Sequence, residues 1–396
     1  MKRREFLFGA AAVGAVAGLK GVAFGQAGKA PAVAKEGEIK ITDIKLYNTG
    51  RLYVRVMTDV RDIEGWGEVN YGVAEVAEAI LKTYRPLLLN TNPTRVEYLW
   101  QLMYRAHRNM RGGGALLAAF AGIDMALWDI VGKVAKLPVH TLLGGPVRDK
   151  ILFYPNAKAY KCTTHAIHDM IETPAEIDAA VSDLEKTRER LGKGGYLMFD
   201  GHGKFTAQVA IQLCKKIEHL GLLYFEEVVP PELNGDLVRV KKATSVPLAA
   251  GERMAGLWSF REVFRDQSAD VLNADVVTIG GISQLVKLAR IAEMYSVPIA
   301  PHGTHSLLGL AASLHVDAAT QNFLIQECYP GKSEFLSAEW LKEWPKDEFM
   351  PVPTGPGLGV EVNVEALEAA VAKQEEKPER GIDKVYFRGD GAVGDR

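Results

Sequence analysis

Acidic residues and a histidine recur at a nearly constant interval along the second half of the chain, each directly after a short apolar run. The six positions are Asp200, Glu226, Glu252, Asp275, His302 and Glu327. Successive positions are 26, 26, 23, 27 and 25 residues apart, which is about the length of a strand, a helix and two short loops. The apolar runs before them are typical of buried parallel strands. The spacing therefore predicts a (β/α) barrel in which these six side chains lie at the C-terminal ends of the strands, where barrel enzymes have their active sites.

Two other interpretations of this pattern are weaker. A single charged residue after a strand is often only a solvated loop residue, but six such residues in phase are not explained in this way. An open doubly wound sheet would need a glycine-rich phosphate-binding loop after its first strand, and the sequence shows none there. Segments 206–219 and 284–294 carry apolar residues at helical spacing, as the helices of a barrel should.

Length and composition fit one barrel with a smaller additional domain. The chain has 396 residues, of which 47% are hydrophobic and 24% are charged, as is usual for a globular protein. Its formal net charge of −2 and the lack of a dense basic stripe argue against nucleic-acid binding. Cys162, Cys214 and Cys328 have neither zinc-site spacing nor the number needed for a disulfide framework. We interpret Cys328, which follows Glu327, as a small buried filler.

The N-terminal segment 1–27 has the pattern of an export signal rather than of a folded element. A basic start with Arg3 and Arg4 precedes the uncharged apolar run 6–19, and small residues follow near Ala27. The run is too short to span a bilayer comfortably, and a disordered basic tail would lack it. The segment resembles a twin-arginine signal. We therefore expect a mature protein that begins near Ala27, is exported already folded to the periplasm and does not remain inserted in the membrane.

The segment between the signal and the barrel is predicted to form a separate α+β domain, residues 38–148. Strands are expected at 39–47, 51–58 and 65–69, and helices follow at 73–83, 96–108 and 116–134. The barrel is predicted at 149–335. Its first strand is expected near 151–156 and its second near 157–162, with the helix between them shortened or missing, because only 46 residues separate Tyr154 from Asp200. His165 and His168 fall in a stretch with no clear assignment.

Three of the six tips carry carboxylates on successive strands: Asp200, Glu226 and Glu252. Such a cluster repels itself unless a cation or protons compensate. Hard oxygen ligands without cysteine suit Mg²⁺. On the next two tips, Asp275 lies beside His302, and a carboxylate beside an imidazole is expected of a general base. His202, two residues after a predicted ligand, points along the same rim, and Glu327 closes the ring.

These residues and their surroundings resemble the enolase superfamily, specifically its mandelate racemase and muconate lactonizing enzyme branch. The resemblance covers nearly the whole mature chain. The matching motifs are the carboxylates in FDGHGK, FEEVVPP and GERM, the dyad in NADVVTIGGIS and APHG, the junction GIDMALWDIVGK…LLGGPVR, and GPGLGVEV near the C-terminus. The resemblance implies an N-terminal capping domain completed by a C-terminal return at 336–372, followed by the charged tail 373–396. It also implies a Mg²⁺-stabilised enolate intermediate.

Within that branch, Asp-Gly-His-Gly-Lys is similar to the Asp-x-His-Gly-Arg/Lys pattern of galactonate- and gluconate-type dehydratases. The resemblance implies a hydro-lyase that acts on a sugar acid of the aldonate type and forms a 2-keto-3-deoxy acid. His302 would remove the C2 proton and His202 would protonate the departing 3-hydroxyl. Glu327 would hydrogen-bond the ene-diolate. Specificity is expected from cap loops 48–53 and 71–76, and the protein is expected to be a homo-oligomer.

Two alternatives remain open at this point. Racemisation or epimerisation at C2 would use the same enolate but needs a base on each face of the substrate. Racemases of the family carry Lys-x-Lys on the second strand, whereas this chain has Lys158 and Lys161 at a different spacing. A barrel that binds a periplasmic ligand without turnover is the alternative from another class.

Overall fold

The protein was analysed as a computed structural model that describes residues 34–69, 71–163, 173–329, 331, 333–375, 386–387 and 391–394. The predicted export signal at 1–27 lies outside the described residues, as do His165 and His168 and most of the tail beyond Glu375.

The first part of the described chain forms a three-stranded antiparallel sheet covered by helices. The elements are β1 (Ile41–Asn48), β2 (Leu52–Thr58), β3 (Glu64–Val69), α1 (Ala74–Leu88), α2 (Val96–Ala106) and α3 (Gly114–Ala135). α3 packs directly on β3, where a Cβ atom at Gly65 would lie 1.9 Å from the carbonyl oxygen of Ala126. Only glycine allows the helix and the strand to come this close. This capping domain has the predicted α+β character.

α3 is the longest helix of the cap and links it to the barrel. Among the described residues it is the one helix long and apolar enough to cross a membrane, but most of it is buried inside the fold. Its apolar composition is therefore explained by packing on two sides, against the cap sheet and against the barrel helices. The short α4 (Val139–Leu142) follows it.

The barrel consists of short strands alternating with helices. Its strands are β4 (Lys150–Tyr154), β5 (Ala159–Thr163), β6 (Tyr196–Asp200), β7 (Tyr224–Glu226), β8 (Leu248–Ala250), β9 (Val271–Leu272) and β10 (Gln326–Glu327). Its helices are α5 (Pro174–Leu191), α6 (Ala207–Ile217), α7 (Asn234–Ala243), α8 (Arg261–Asp266), α9 (Val276–Ile279), α10 (Ile282–Met294) and α11 (Leu307–Ala318). β5 to β9 form one parallel sheet in chain order, and Ile299 bridges β9 to Phe323, next to β10.

A layer of side chains shows that these segments form a closed ring. The layer contains one buried residue from each of eight successive segments, and its members contact one another: Tyr154, Ala159, Met198, Tyr224, Ala249, Val271, Ala300 and Ile325. β10 pairs in parallel with β4, which joins the last segment to the first. The predicted barrel is confirmed, although the strands expected at 298–301 and 323–326 are reduced to single bridges and the two-residue β10.

The first crossover of the barrel has no helix. A turn of only four residues, 155–158, joins β4 to β5. The Asn156 side chain closes this turn by accepting hydrogen bonds from the amides of Lys158 and Ala159 at 2.7 and 2.9 Å. β5 then pairs with β6 along its whole length, from Ala159 opposite Tyr196 to Thr163 opposite Asp200. The missing helix accounts for the short distance between the first strand and Asp200.

After β10 the chain returns to the cap through β11 (Leu336–Ser337), β12 (Phe349–Pro351), β13 (Glu361–Val362) and α12 (Val364–Glu375), and a small hairpin of β14 (Tyr386–Phe387) and β15 (Val393–Gly394) follows. β12 pairs antiparallel with β4 and so flanks the first barrel strand. The glycine-rich segment 355–359 reaches the α3–α4 junction, where the amide of Val139 donates to the Gly357 carbonyl at 3.1 Å. The expected C-terminal return to the cap is present.

Candidate active site

The structure brings all seven predicted site residues together at the C-terminal ends of the barrel strands. Asp200 ends β6, Glu226 ends β7 and Glu252 follows β8. One carboxylate oxygen from each of these three residues lies within 4.8 Å of those from the other two. This spacing suits a single cation bound by three oxygens, since Mg²⁺ binds its ligands at about 2.1 Å.

The electrostatics of these three carboxylates favour a cation. Burial raises the pKa of Glu226 well above its usual range, and the charges of Asp200 and Glu252 raise it further. The pKa of Glu252 is raised as well, chiefly by burial. Glu226 Oε1 and Glu252 Oε2 are buried without a hydrogen-bond partner in the described part of the chain. Unpartnered buried carboxylate oxygens that converge on one point fit a divalent metal ion.

Lys161, which the sequence reasoning named only for its departure from Lys-x-Lys and not as a site residue, lies in the middle of this cluster. It points inward from β5, and its ammonium lies 3.1 Å from Asp200, 2.8 Å from Glu226 and 3.1 Å from Glu327. Burial alone would lower the pKa of Lys161, but the three carboxylates raise it well above its usual range. The lysine is therefore a fixed ammonium, and it compensates part of the negative charge. The second strand was expected near 157–162, and the alternation of Ala159 and Lys161 along it could have shown that both face inward.

The predicted dyad of Asp275 and His302 is present. His302 Nδ1 lies 2.6 Å from Asp275 Oδ2, and its other ring nitrogen, Nε2, lies 3.5 Å from Glu252 and 3.7 Å from Glu327. Burial alone would lower the pKa of His302, but Glu252, Glu327 and Asp275 raise it well above its usual range. Asp275 also accepts the amide of Val277 at 2.7 Å, which fixes the carboxylate in place. The aspartate thus sets the tautomer, so that Nε2 is the nitrogen that faces the centre of the site.

His202 lies beside the metal triad at its solvent side. The sequence offered no carboxylate partner for it, but the structure does: His202 Nε2 lies 3.2 Å from Asp200 Oδ2, and its amide donates to Asp200 Oδ1 at 2.8 Å. Its side chain is 42% exposed, whereas the side chain of His302 is 9% exposed. The two imidazoles therefore differ in access to water as well as in position.

An ion pair at the rim of the site holds His202 in an unusual backbone conformation, with φ of +50°. Arg253 donates to the His202 carbonyl at 2.9 Å and is itself paired with the buried Glu227 at 2.8 Å. Glycine is favoured at the next residue, because Gly203 has φ of +61° and a Cβ atom there would lie 2.1 Å from the Arg253 guanidinium, which would have to move. Arg253 and Glu227 follow the predicted ligands Glu252 and Glu226 directly, and the sequence reasoning gave them no role.

Glu327 connects the lysine and the base. Besides its contact with Lys161, it accepts a hydrogen bond from the Tyr329 hydroxyl at 3.1 Å. Burial alone would raise the pKa of Glu327, but Lys161 and His302 hold it below its usual range. Tyr329, which lies two residues after Glu327 and beyond the end of β10, was also missed.

Comparison with known proteins agrees with the fold and with this site. Residues 48–144 match the family described as "Mandelate racemase / muconate lactonizing enzyme, N-terminal domain", and residues 156–367 match "Enolase C-terminal domain-like". The chain belongs to the mandelate racemase and muconate lactonizing enzyme family. The resemblance inferred from the motifs is confirmed, as is the barrel with an N-terminal capping domain.

Relatives in this family include named dehydratases. The chain is 34% identical to D-galactonate dehydratase from Ralstonia pickettii, with 90% of this chain and 99% of the relative covered. It is 35% identical to D-galactonate dehydratase from Xanthomonas oryzae pv. oryzae over the same shares of the two chains. An enolase from Pantoea ananatis, solved with bound D-gluconate and Mg, is 26% identical with a TM-score of 0.76, covering 85% of this chain and 94% of that one. The protein is an enzyme of this family, and its named relatives identify it as a hydro-lyase.

Proposed function

We propose that the protein is a Mg²⁺-dependent dehydratase of an aldonate-type sugar acid, which removes the proton next to the carboxylate and eliminates the 3-hydroxyl. The observation that carries the proposal is the arrangement of two different histidines around one carboxylate triad. A buried imidazole with an aspartate partner lies on one side of the triad and a solvent-exposed imidazole lies on the other. The similarity to D-galactonate dehydratases supports the same reaction class.

Asp200, Glu226 and Glu252 would hold the metal ion. When bound, Mg²⁺ polarises the substrate carboxylate and stabilises the negative charge that develops when C2 loses its proton. The family relative from Pantoea ananatis was solved with Mg and D-gluconate, which supports both the ion and the class of acid.

His302 would act as the general base. Its Nδ1 proton is directed at Asp275, so Nε2 would accept the C2 proton once the metal ion offsets the charge of Glu252, one of the carboxylates that raise the pKa of His302. His202 would act as the general acid, because its ring lies at the rim, where a leaving hydroxyl can depart as water. The product of the elimination is an enol that tautomerises to a 2-keto-3-deoxy acid.

Lys161 would be a further donor to the developing ene-diolate, beside Glu327, for which the resemblance implies a hydrogen bond to the same intermediate. A lysine ammonium carries three protons. Glu327, at 3.1 Å from this nitrogen, would orient it and also keep Nε2 of His302 in place.

Epimerisation at C2 is the less well supported reaction. It requires a neutral base on the face opposite His302, and β5 is the strand that could supply it. The racemase pattern Lys-x-Lys is missing from β5, which reads Ala-Tyr-Lys-Cys-Thr and has Lys161 as its one lysine. Thr163 occupies the position opposite Asp200 and carries no base.

A screen of aldonates in D₂O would test the function directly. The purified protein is incubated with each acid, with Mg²⁺ or with EDTA, and formation of 2-keto acid and exchange at C2 are followed by NMR. Dehydration predicts both signals with at least one acid, and both should depend on Mg²⁺. Exchange without loss of water would instead support an epimerase, and binding without exchange would support a non-catalytic barrel. Glu226→Gln serves as the metal-deficient control.

A further inference from the structure

The loop that follows His302 is held by the capping domain rather than by the barrel. Residues 303–306 connect His302 to α11. On the barrel side the hydrogen bonds are long: the His302 amide donates to the Asn273 carbonyl at 3.4 Å, and the Gly303 amide donates to the Glu327 carboxylate at 3.4 Å. Since hydrogen bonds weaken with distance, these two bonds hold the loop only weakly.

Glu68, on β3 of the cap, supplies the stronger contacts. Its carboxylate is fully buried and accepts from the amides of Ser306 and Gly309 at 3.0 and 2.9 Å, and also from the Ser306 hydroxyl. These are donors of the first turn of α11, which is a favourable position for an anion. One carboxylate of the cap therefore fixes the start of the helix directly behind the catalytic loop.

Arg51, in the loop before β2, completes the connection. Its guanidinium pairs with Glu68 and donates to the Thr304 carbonyl at 2.8 Å. Burial alone would raise the pKa of Glu68, but Arg51 keeps it below its usual range, so the carboxylate stays ionised. The two cap residues hold the loop at its carbonyl, at its amides and at its hydroxyl.

His305 lies in this same loop and reaches the dyad. Its Nε2 lies 3.6 Å from Asp275 Oδ2, the oxygen that also binds His302, and its side chain is 2% exposed. The ring packs against Gly309, where a Cβ atom would lie 2.8 Å from His305 Cβ and 3.1 Å from Glu68 Oε2. The imidazole is thus confined between a carboxylate of the cap and the aspartate that orients the base.

We propose that Glu68, held by Arg51, is a positioning residue that couples the capping domain to the general base, by fixing loop 303–306 and with it the ring of His305 beside Asp275. The inference rests on the proposed function, because His302 is the base there. A displacement of a reacting group by about 1 Å can cost on the order of 100-fold in rate. Loss of Glu68 should therefore lower kcat about 10- to 100-fold and leave KM for the acid and the Mg²⁺ affinity unchanged.

The test compares Glu68→Gln with Glu64→Gln. Glu64 lies on the same strand and pairs with Arg55 at 2.6 Å, and within the described residues the hydrogen bonds of its side chain go to Arg55 and Trp66 of the cap. The first readout needs no substrate: in ¹⁵N-histidine-labelled protein, the His302 Nδ1 proton in its 2.6 Å bond to Asp275 is assigned by its absence in His302→Asn. We expect this resonance to shift or broaden in Glu68→Gln and to stay unchanged in Glu64→Gln.

The second readout is turnover of the aldonate found in the screen. The proposal predicts a kcat defect in Glu68→Gln and in Arg51→Met, with Glu64→Gln close to wild type. An unchanged resonance, or an altered resonance with kcat within twofold of wild type, overturns it. If Glu68→Gln does not fold, the same two measurements on Arg51→Met test the proposal. If no aldonate is turned over, the proposed function fails, whereas the resonance still shows whether Glu68 positions the histidine.

Discussion

Removal of the Lys161 side chain should affect the stability of the metal-free protein more than that of the metal-bound protein. The Lys161 ammonium is the buried cation that compensates Asp200, Glu226 and Glu327. Removing one partner of a buried ion pair typically costs about 3–5 kcal/mol, because the remaining charges stay buried and unpaired. We expect Lys161→Met to destabilise the metal-free protein by about this amount, with Mg²⁺ recovering much of the loss.

Thermal unfolding with EDTA and with Mg²⁺ measures this effect. Lys241→Met is a suitable control, because Lys241 also pairs with a carboxylate, Asp270, but lies outside the site with its side chain 33% exposed. Its loss should be small and independent of Mg²⁺, since exposed pairs are worth about 0–1 kcal/mol. An equal destabilisation of Lys161→Met in both buffers would contradict the compensating role of the ammonium.

Substitution of His302 and substitution of His202 should impair different steps of the reaction. Loss of a general acid or base costs about 10²–10⁴-fold in rate. His302→Asn should lose both dehydration and exchange of the C2 proton, because the enolate can no longer form. His202→Asn should lose dehydration but keep some exchange, since its ring stands at the rim beside Asp200 and not in the dyad. NMR in D₂O measures both processes, and exchange that survives only in His302→Asn would reverse the two roles.

At the scale of single residues, the sequence predicted the parts of the site that follow from strand spacing. Asp200 and Glu226 end regular strands and Glu252 follows one, so their convergence could be predicted from the intervals alone. Arg51 and Glu68 could not be found in this way. Their partners Thr304 and Ser306 are more than 200 residues away, and the contact depends on how the cap is placed on the barrel.

At the scale of elements, the junction between α3 and α10 carries a buried carboxyl group. Asp124 accepts the amide of Ser283 at 2.9 Å, at the start of α10, and a Cβ atom at Gly281 would lie 2.4 Å from its Oδ2. Burial raises the pKa of Asp124 to about 7. The cap helix therefore provides the N-terminal acceptor of a barrel helix through an acid that is half protonated near neutral pH.

This pKa gives a pH dependence with a defined sign. The folded protein keeps the Asp124 proton up to about pH 7, whereas the unfolded chain releases it near its ordinary value of 3.8. The folded state binds more protons between these values, so the contribution of Asp124 to stability falls as pH rises, by up to about 1.4 kcal/mol per pH unit. Asp124→Asn should lack this decline. Urea unfolding between pH 4.5 and 8 measures it, and parallel curves for the two proteins would contradict the shifted pKa.

β5 shows why one element of the barrel was hard to place from the sequence. A barrel strand is normally recognised by the helix before it and by an apolar run, but a four-residue turn replaces the helix here. The strand itself reads Ala-Tyr-Lys-Cys-Thr and contains a charged residue. The regular units from β6 to β9 have both signals and were therefore predictable. The irregular unit is the one that supplies Lys161 to the site.

For the molecule as a whole, we propose export to the periplasm by a twin-arginine route, on the basis of segment 1–27. The three cysteines of the described chain are buried free thiols. An exported protein of this kind has to be stable without disulfide bonds. Replacing Arg3 and Arg4 together by lysine should leave the protein in the cytoplasm. Cell fractionation measures this, with Lys20→Arg in the same segment as the control. Unchanged periplasmic yield of the double variant would exclude the route.

The Asp129 side chain joins three parts of the chain, namely α3, β3 and the C-terminal return. From α3, its carboxylate accepts the amide of Trp66 on β3 at 3.1 Å, the amide of Leu358 in the C-terminal return at 2.9 Å and the ammonium of Lys133 at 2.7 Å. The return passes so close that a Cβ atom at Gly357 would lie 2.1 Å from Asp129 Oδ1. The cap is therefore completed by the C-terminal segment through one buried anion.

Asp129→Ala should release the C-terminal return while the barrel stays folded. The substitution leaves two buried amides and one ammonium without their acceptor, which should cost about 3 kcal/mol or more in the free energy of unfolding. Hydrogen exchange should accelerate at Leu358 and in β13 but remain slow in β6 and β7, whose parallel pairing does not involve the return. Asp129→Asn, which keeps one acceptor oxygen, should show an intermediate effect. Uniform acceleration across the barrel strands would instead mean that cap and barrel unfold as one cooperative unit.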